Sequence, residues 1–219
     1  MLLEAVERQL IDALARPLPD AVAHILLAPR PRIGWQPGHL PDDCRRSAAL
    51  LLLYPCDGHA HFVLTLRNAG MPQHAGQVSF PGGAIEPGES YTAAALREAR
   101  EEVGVDPLAV RVLGQLSPLH IPVSQFVLHP QVAVTHRRPD LEPCSREVAK
   151  ILEVPLEQLR DPERVQVEVR TFGGRQYQVP FVLLEREKVW GATAMILAEF
   201  LIVLGELPPA VPGRAHGRP

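Results

Sequence analysis

The chain contains 219 residues, which fits one domain with small additions. Hydrophobic residues account for 46% and charged residues for 21% of the chain, and this balance excludes a wholly disordered protein. The net charge of -3 excludes the basic excess with which proteins hold nucleic acid or an anionic membrane. A small anionic molecule remains compatible with that charge, because one local basic pocket is enough to bind it.

Three cysteines, Cys44, Cys56 and Cys144, are scattered along the chain without a CxxC pair. An odd number at these spacings indicates neither a disulfide framework nor a zinc ribbon, so a reducing compartment is expected. The first ten residues contain two glutamates and lack the basic start of a signal peptide. We therefore expect a cytoplasmic protein.

Residues 1–44 are predicted to form an N-terminal addition. Leu3, Val6, Leu10 and Leu14 follow a helical period, so an amphipathic helix is expected there. Its apolar stripe needs a partner surface, supplied either by the same domain or by a second copy of the chain in a homodimer. The Pro- and Gly-rich stretch that follows predicts an irregular wrap.

Residues 45–205 are predicted to form the main domain, and residues 206–219 a flexible tail. Apolar and alternating runs predict strands over residues 47–55, 61–67, 76–80, 110–116, 126–135, 147–154, 165–171 and 176–184. The Asp57-Gly58 pair predicts a tight turn between the first two strands. Helices are predicted over residues 90–103, ending at Gly104, and over residues 190–204. Strands interleaved with helices indicate an α/β sandwich with a mixed sheet.

The first of these two helices carries a group of carboxylates. Glu98, Glu101 and Glu102 are spaced i, i+3 and i+4, so their side chains share one face. Like charges at this spacing repel by roughly 0.2–0.5 kcal/mol per pair. A divalent cation reverses that sign, because Mg²⁺ prefers hard oxygen ligands. Arg97 is suited to orient one carboxylate by a bidentate pair.

The loop before this helix argues against a merely solvated acidic face. Pro81-Gly82-Gly83 is expected to break the preceding strand and to let backbone carbonyls turn toward the helix. Glu86 and Glu89 add two more carboxylates just before the helix begins. This concentration of oxygen ligands beside a glycine-rich loop favours a pocket for more than one metal ion.

The segment GAIEPGESYTAAALREAREEVGV, residues 83–105, resembles the Nudix box, GX5EX7REUXEEXGU. Every fixed position of the box matches. Ala99 is smaller than the usual Leu, Ile or Val at its position, which concerns the packing of the helix and leaves the chemistry unchanged. The resemblance implies a Nudix-type α/β/α sandwich that hydrolyses a nucleoside diphosphate linked to another group, with Mg²⁺ or Mn²⁺ as the cofactor.

The segment LTLRNAGMPQHAGQVSFPGG, residues 64–83, resembles the additional signature of the coenzyme A pyrophosphatase branch, LLTxRSxxLxxHxGQVxFPGG. Asn68 stands where Ser or Ala is usual, and Met71 where Leu is usual. This second resemblance implies cleavage of coenzyme A or its derivatives at the pyrophosphate. The products would be 3′,5′-ADP and 4′-phosphopantetheine.

The resemblance to the box also implies roles for its residues. By position, Glu98 and Glu102 are the expected metal ligands, and Glu101 is next, as a ligand or as the base that orients water. The carbonyl of Gly82 or Gly83 is expected to complete the metal's coordination shell.

Further roles fall on residues around these ligands. Glu89 is expected to support the site through a metal-bound water or a pair with Arg97. Glu147 is the candidate general base, with an exposed carboxylate as its alternative reading. Arg67 or His74 is expected to contact a phosphate of the substrate, since both belong to the upstream signature.

Three alternatives remain open from the sequence, and one of them, an interaction protein acting through the N-terminal helix and the Pro-rich wrap, is compatible with enzyme activity. A Nudix hydrolase for ADP-ribose, a nucleotide sugar or a damaged dNTP would share the box but usually lack the upstream signature. A non-catalytic Nudix module would bind a nucleotide and regulate a partner, although such modules tend to lose box carboxylates. Trp190 could stack on adenine, but a core position at the start of the last helix is the favoured interpretation.

Overall fold

The computed structural model describes residues 1–71 and 75–212, and four α-helices and eleven strands lie within them. The helices are α1 (Leu3–Leu14), α2 (Ala21–His24), α3 (Tyr91–Val103) and α4 (Gly191–Val203). The strands are β1 (Arg45–Cys56), β2 (His59–Arg67), β3 (Val78–Ser79), β4 (Gly82–Ala84), β5 (Arg111–Gln115), β6 (Leu119–Ile121), β7 (Phe126–Val134), β8 (Val148–Pro155), β9 (Val165–Phe172), β10 (Arg175–Leu184) and β11 (Glu187–Trp190). Within the described part, no helix has the length and apolar character that a membrane crossing requires.

Eight of these strands form one mixed sheet. Its main path runs β3-β2-β1-β7-β5, with β4 paired to β1, β6 to β7 and β8 to β2. The β1–β7 pair is parallel and the other pairs are antiparallel. Strands β9, β10 and β11 form a separate antiparallel sheet. The predicted α/β class with a mixed sheet is confirmed.

Strand β1 is buried on both faces, which explains its unbroken apolar sequence. Its even-numbered side chains from Ala48 to Tyr54 belong to one apolar cluster with α3, and its odd-numbered side chains from Ala49 to Leu53 belong to a second cluster with α1 and α4. Each fully buried leucine on this strand contributes roughly 1.5–3 kcal/mol. The sheet therefore lies between two helical layers. Helix α3 covers one face of the sheet, and α1 and α4 cover the other.

The apolar stripe of α1 finds its partner surface within the same chain. Leu3, Val6 and Leu10 are buried in the cluster that also contains α4. Leu14 packs so closely on β5 that a Cβ at Gly114 would lie 3.2 Å from the Leu14 Cδ1. The N-terminal helix is thus part of the apolar core of the fold.

A buried polar contact ties the N-terminal segment to the last helix. His24 Nε2 lies 2.9 Å from Glu199 Oε2, and both residues are almost fully buried. The backbone N–H of Ser117 donates to Glu199 Oε1 and Oε2 at 3.1 and 3.2 Å. His24, to which the sequence alone assigns no role, is thus the side-chain partner of a buried carboxylate.

Several short elements differ from the sequence predictions. The expected break at Pro81-Gly82-Gly83 is in part a strand, since β4 pairs with β1 through Gly83 and Ala48. Strands β6 and β11 were not predicted, and Trp190 ends β11 instead of lying in the last helix. The Asp57-Gly58 turn is confirmed, with φ of 48° and 77°.

The predicted tail lies only partly within the described residues. Val211 is buried and belongs to the main apolar cluster. Residues 213–219 lie outside the described part.

Candidate active site

Helix α3 is fixed at both ends. At its start the Ser90 side chain accepts a hydrogen bond from the Ala93 backbone N–H at 3.1 Å. At its end Gly104 adopts φ +76°, the left-handed conformation that glycine tolerates best. Ala99 is fully buried against the sheet, so the small residue at this box position lets the helix pack closely. The carboxylates on the helix are thereby held at a set distance from β4.

The segment that leads into β8 caps the C-terminal end of α3. The backbone N–H groups of Glu142 and Cys144 donate to the carbonyls of Val103 and Glu102 at 3.1 and 3.0 Å. These carbonyls have no partner within the helix itself, so the segment satisfies them. The same segment then continues to Glu147, which brings that carboxylate to the helix.

Asn68 fixes Glu147 from the other side. Its backbone N–H donates to the Glu147 carbonyl at 2.7 Å, and its side-chain amide donates to the Arg146 carbonyl at 3.3 Å. The backbone of Asn68 thus anchors the Glu147 backbone, and its side chain adds a hydrogen bond to the preceding residue. The sequence analysis did not predict these contacts.

Glu102 is the most buried carboxylate of the group, with 6% of the residue exposed. The backbone N–H of Gly82 donates to its Oε2 at 3.2 Å. Burial raises the pKa of Glu102 to about 7, and the negative charges of Glu98 and Glu147 add to that effect. Arg67 and the Gly82 N–H oppose it without cancelling it. A cation brought to this carboxylate would relieve the cost of its burial.

Glu98 lies directly against Gly83. A Cβ at this glycine would be 2.4 Å from Glu98 Oε1, so no side chain fits at this box position. Burial raises the pKa of Glu98 above its usual range, even though Arg97 pulls it down.

Arg97 connects the loop and the helix through all three of its guanidinium nitrogens. Nε and Nη2 donate to Glu89 Oε1 and Oε2 at 2.9 and 3.1 Å, a bidentate pair. Nη1 donates to Glu98 Oε1 at 2.8 Å, and Nη2 also donates to the Ala84 carbonyl at 3.1 Å. The hydrogen bonds from Arg97 lower the pKa of Glu89. Arg97 therefore holds the Glu98 side chain in place and links it to the loop before the helix.

Arg67 reaches the same carboxylates from the end of β2. Its Nη2 donates to Glu147 Oε2 at 2.9 Å, and its Nη1 lies 3.9 Å from Glu102 Oε1. This side chain, from the upstream signature, thus contacts a carboxylate of the Nudix box.

The structure brings most of the predicted site residues together, but two stand apart. Glu101 has a side chain that is 57% exposed, and its only described ion pair is with Arg97 at 3.5 Å. His74 lies outside the described residues. The residues that converge are Arg67, Gly83, Glu89, Arg97, Glu98, Glu102 and Glu147.

The chemistry of this donor set suits a hard divalent cation. Glu98 and Glu102 are carboxylates with raised pKa values, and Glu147 adds further negative charge. Among residues 1–71 and 75–212, no three His, Cys, Asp or Glu side chains converge closely enough to hold a metal ion together. The described residues thus supply neighbouring oxygen ligands of a type that suits Mg²⁺ or Mn²⁺.

A family model described as the NUDIX domain matches residues 45–172. The chain belongs to the Nudix family. The Nudix prediction is therefore confirmed, and the family supports hydrolysis of the pyrophosphate bond in a nucleoside diphosphate derivative as the chemistry of this site.

Two bacterial Nudix relatives cover most of the chain. A protein of Photorhabdus laumondii named uncharacterized Nudix hydrolase NudL is 38% identical over 156 residues, which are 71% of this chain and 83% of the relative. A protein of the same name from Pectobacterium atrosepticum is 34% identical over 181 residues, 78% of this chain and 90% of the relative. These names give the family and no substrate.

Solved Nudix structures resemble the fold more distantly. The Nudix hydrolase RenU of M. smegmatis is 26% identical with a TM-score of 0.46, and the match covers 53% of this chain and 74% of that one. A MutT/nudix family protein from Enterococcus faecalis is 18% identical with a TM-score of 0.49, and the match covers 76% and 70%.

Proposed function

We propose that this Nudix protein hydrolyses the pyrophosphate bond of coenzyme A or its derivatives, giving 3′,5′-ADP and 4′-phosphopantetheine. The observation that carries the proposal is the contact of Arg67 with both Glu147 and Glu102. Arg67 belongs to the segment that resembles the coenzyme A pyrophosphatase signature, whereas Glu102 belongs to the general Nudix box. An arginine of the upstream signature therefore lies beside a carboxylate of the box, which supports a shared role in the reaction.

Glu98 and Glu102 are the residues that would hold Mg²⁺ or Mn²⁺, with Glu101 next in order. When bound, such an ion supplies charge neutralisation at the pyrophosphate and lowers the pKa of an attacking water. The chain's own part is to hold these carboxylates in position and to offset part of the cost of their buried charge. Arg97 does so for Glu98 through its 2.8 Å hydrogen bond, and Glu89 in turn holds Arg97.

Glu147 is the proposed general base, with Glu101 as the second candidate. Its side chain is 48% exposed, so water can approach it. In this structure one of its oxygens accepts a hydrogen bond from Arg67, and that bond must loosen before the oxygen accepts a proton from water. Arg67 is also the proposed phosphate contact, because the other cation of the site, Arg97, already donates through every nitrogen. His74 is proposed as a second substrate contact from its place in the signature.

The test is hydrolysis of coenzyme A with Mg²⁺ or Mn²⁺, with products identified by mass, and with ADP-ribose and a dNTP panel in parallel. We expect 3′,5′-ADP and phosphopantetheine from the wild type and at least a hundredfold loss in Glu102→Gln. Glu142→Gln, an exposed carboxylate outside the cluster, is the matched control and should keep full activity. Cleavage of ADP-ribose or dNTPs alone would refute the coenzyme A assignment within the family. Nucleotide binding without any turnover would favour a regulatory Nudix module.

A further inference from the structure

The two arginines of the site differ in how well their donors are satisfied. Arg97 donates through all three nitrogens to carboxylates or a carbonyl. Within residues 1–71 and 75–212, the Arg67 guanidinium donates only through Nη2, to Glu147. Its Nη1 is 3.9 Å from Glu102, beyond hydrogen-bond length, and its Nε is buried with no partner among the described residues. The Arg97 guanidinium therefore has a hydrogen-bond partner for each nitrogen, whereas the Arg67 guanidinium lacks described partners for two of its three.

An unsatisfied guanidinium is costly where water is scarce. A buried donor without a partner costs about 1–3 kcal/mol. The side chain of Arg67 is 21% exposed, so it keeps access to solvent and to a ligand. It follows the Leu66–Arg67 register shift at the end of β2, where the strand ladder is already irregular. Its backbone is held by hydrogen bonds with Gln77 and Gly76, so the movement available to Arg67 is a rotation of its side chain.

Arg67 stands between two carboxylates that a divalent cation would also need. It faces Glu102 on α3 and Glu147 before β8, which come from opposite sides of the site. A divalent cation at Glu102 or Glu147 would repel the Arg67 guanidinium at this range, so the two cations compete for these carboxylates.

We propose that Arg67 is an exchangeable counter-ion that couples metal binding to substrate binding. It neutralises Glu102 and Glu147 until a divalent cation takes over these carboxylates. The released guanidinium then offers two parallel N–H donors to oxygens of the diphosphate group, a geometry that arginine suits and lysine does not. This inference rests on the proposed function. It assigns Arg67 a role first in metal binding and then in binding of the diphosphate.

The exchange predicts effects of opposite sign on two ligands. Removing the charge in Arg67→Gln removes the competitor, so Mn²⁺ alone should bind about three- to tenfold more tightly than to the wild type. Methylenediphosphonate, a diphosphate analogue that resists cleavage, should bind about tenfold or more weakly at saturating Mn²⁺, because its arginine contact is gone. In Arg67→Lys the Mn²⁺ affinity should stay near that of the wild type, while the diphosphonate still binds more weakly.

Calorimetric titration of the full chain with Mn²⁺, and then with methylenediphosphonate, measures both affinities without turnover. Arg146→Gln is the matched control, since this exposed arginine adjoins Glu147 and only its carbonyl is engaged. It should change neither affinity. Should Arg67→Gln fail to fold, Arg67→Lys alone decides, through an unchanged Mn²⁺ affinity and a weakened diphosphonate affinity.

Two results would overturn the proposal. One is Mn²⁺ affinity that is unchanged or weaker in Arg67→Gln, or diphosphonate affinity that is unchanged in both Arg67 variants. The other is an equal shift in the Arg146 control, which would reduce the effect to general charge. Opposite shifts in a protein that leaves coenzyme A uncut would support the role of Arg67, and only the substrate assignment would then fail.

Discussion

Replacing Glu102 by glutamine should make the metal-free protein more stable at pH 8 than the wild type, although the same change removes activity. Glu102 is 6% exposed, and burial raises its pKa to about 7 in the folded chain. In the unfolded chain the pKa returns to about 4.5. The folded state therefore holds this proton more tightly. The contribution of protonated Glu102 to the stability of the folded chain is complete below pH 4.5 and disappears as the pH rises through 7.

The magnitude follows from the same two pKa values. Moving a carboxyl pKa from 4.5 to about 7 corresponds to roughly 3 kcal/mol between its two protonation states. Movement of the Arg67 side chain toward the charged Glu102 carboxylate reduces this free-energy difference, so we expect a net effect on stability of about 2 kcal/mol. Glutamine keeps the shape and can still accept from the Gly82 N–H, but it does not titrate. The stability of Glu102→Gln relative to the wild type should thus rise by about 2 kcal/mol between pH 5 and pH 8.

Urea unfolding at pH 5, 6, 7 and 8 with a chelator present measures this difference directly. Glu101→Gln is the control, because the neighbouring carboxylate is 57% exposed and should add no such slope. Excess Mg²⁺ at pH 8 should restore the wild type and leave Glu102→Gln unchanged. Parallel stability profiles for the wild type and Glu102→Gln across this pH range would refute the reasoning.

Three further substitutions test the construction of the site and the core. Gly83→Ala places a methyl group 2.4 Å from a carboxylate oxygen of Glu98, so kcat/KM should fall at least tenfold, and unchanged kinetics would contradict the close approach. Arg97→Lys loses the bidentate pair and should lower kcat by about tenfold or more, whereas full activity would show that the pair is dispensable. His24→Ala leaves the buried Glu199 carboxylate without its side-chain partner and with only the Ser117 N–H among the contacts described, which should cost about 1–3 kcal/mol in urea unfolding. His59→Ala is its control, because this histidine also faces a glutamate but is 59% exposed, and a similar loss there would contradict the argument.

Local signals in the sequence were enough to predict the Nudix helix. Gly104 marks its end, and the buried alanines repeat at helical spacing, so the predicted helix agrees with α3 to within one residue. Strand β4 could not be predicted in the same way. Pro81-Gly82-Gly83 has the local character of a breaker, and only pairing with β1 makes its last two residues part of a strand.

The site was predictable where its residues are close in sequence and unpredictable where they are distant. The contacts of Arg97 with Glu89 and Glu98 span eight residues or fewer. Arg67 and Glu147 are 80 residues apart, and their contact depends on the antiparallel pairing of β2 with β8. The residue types and their spacing therefore indicated which residues belong to the site. The contacts between residues distant in sequence depend on the tertiary fold.

The link between His24 and Glu199 has a consequence for how the chain is made. These partners are separated by 175 residues, so the N-terminal helices leave the ribosome long before α4 does. At roughly 5–20 residues per second, this interval is on the order of 10–35 s. Throughout it, the apolar side of α1 has no α4 to cover it, and nascent chains are vulnerable to aggregation or to capture by chaperones. The N-terminal helices therefore cannot complete their part of the core until the last helix has been synthesised.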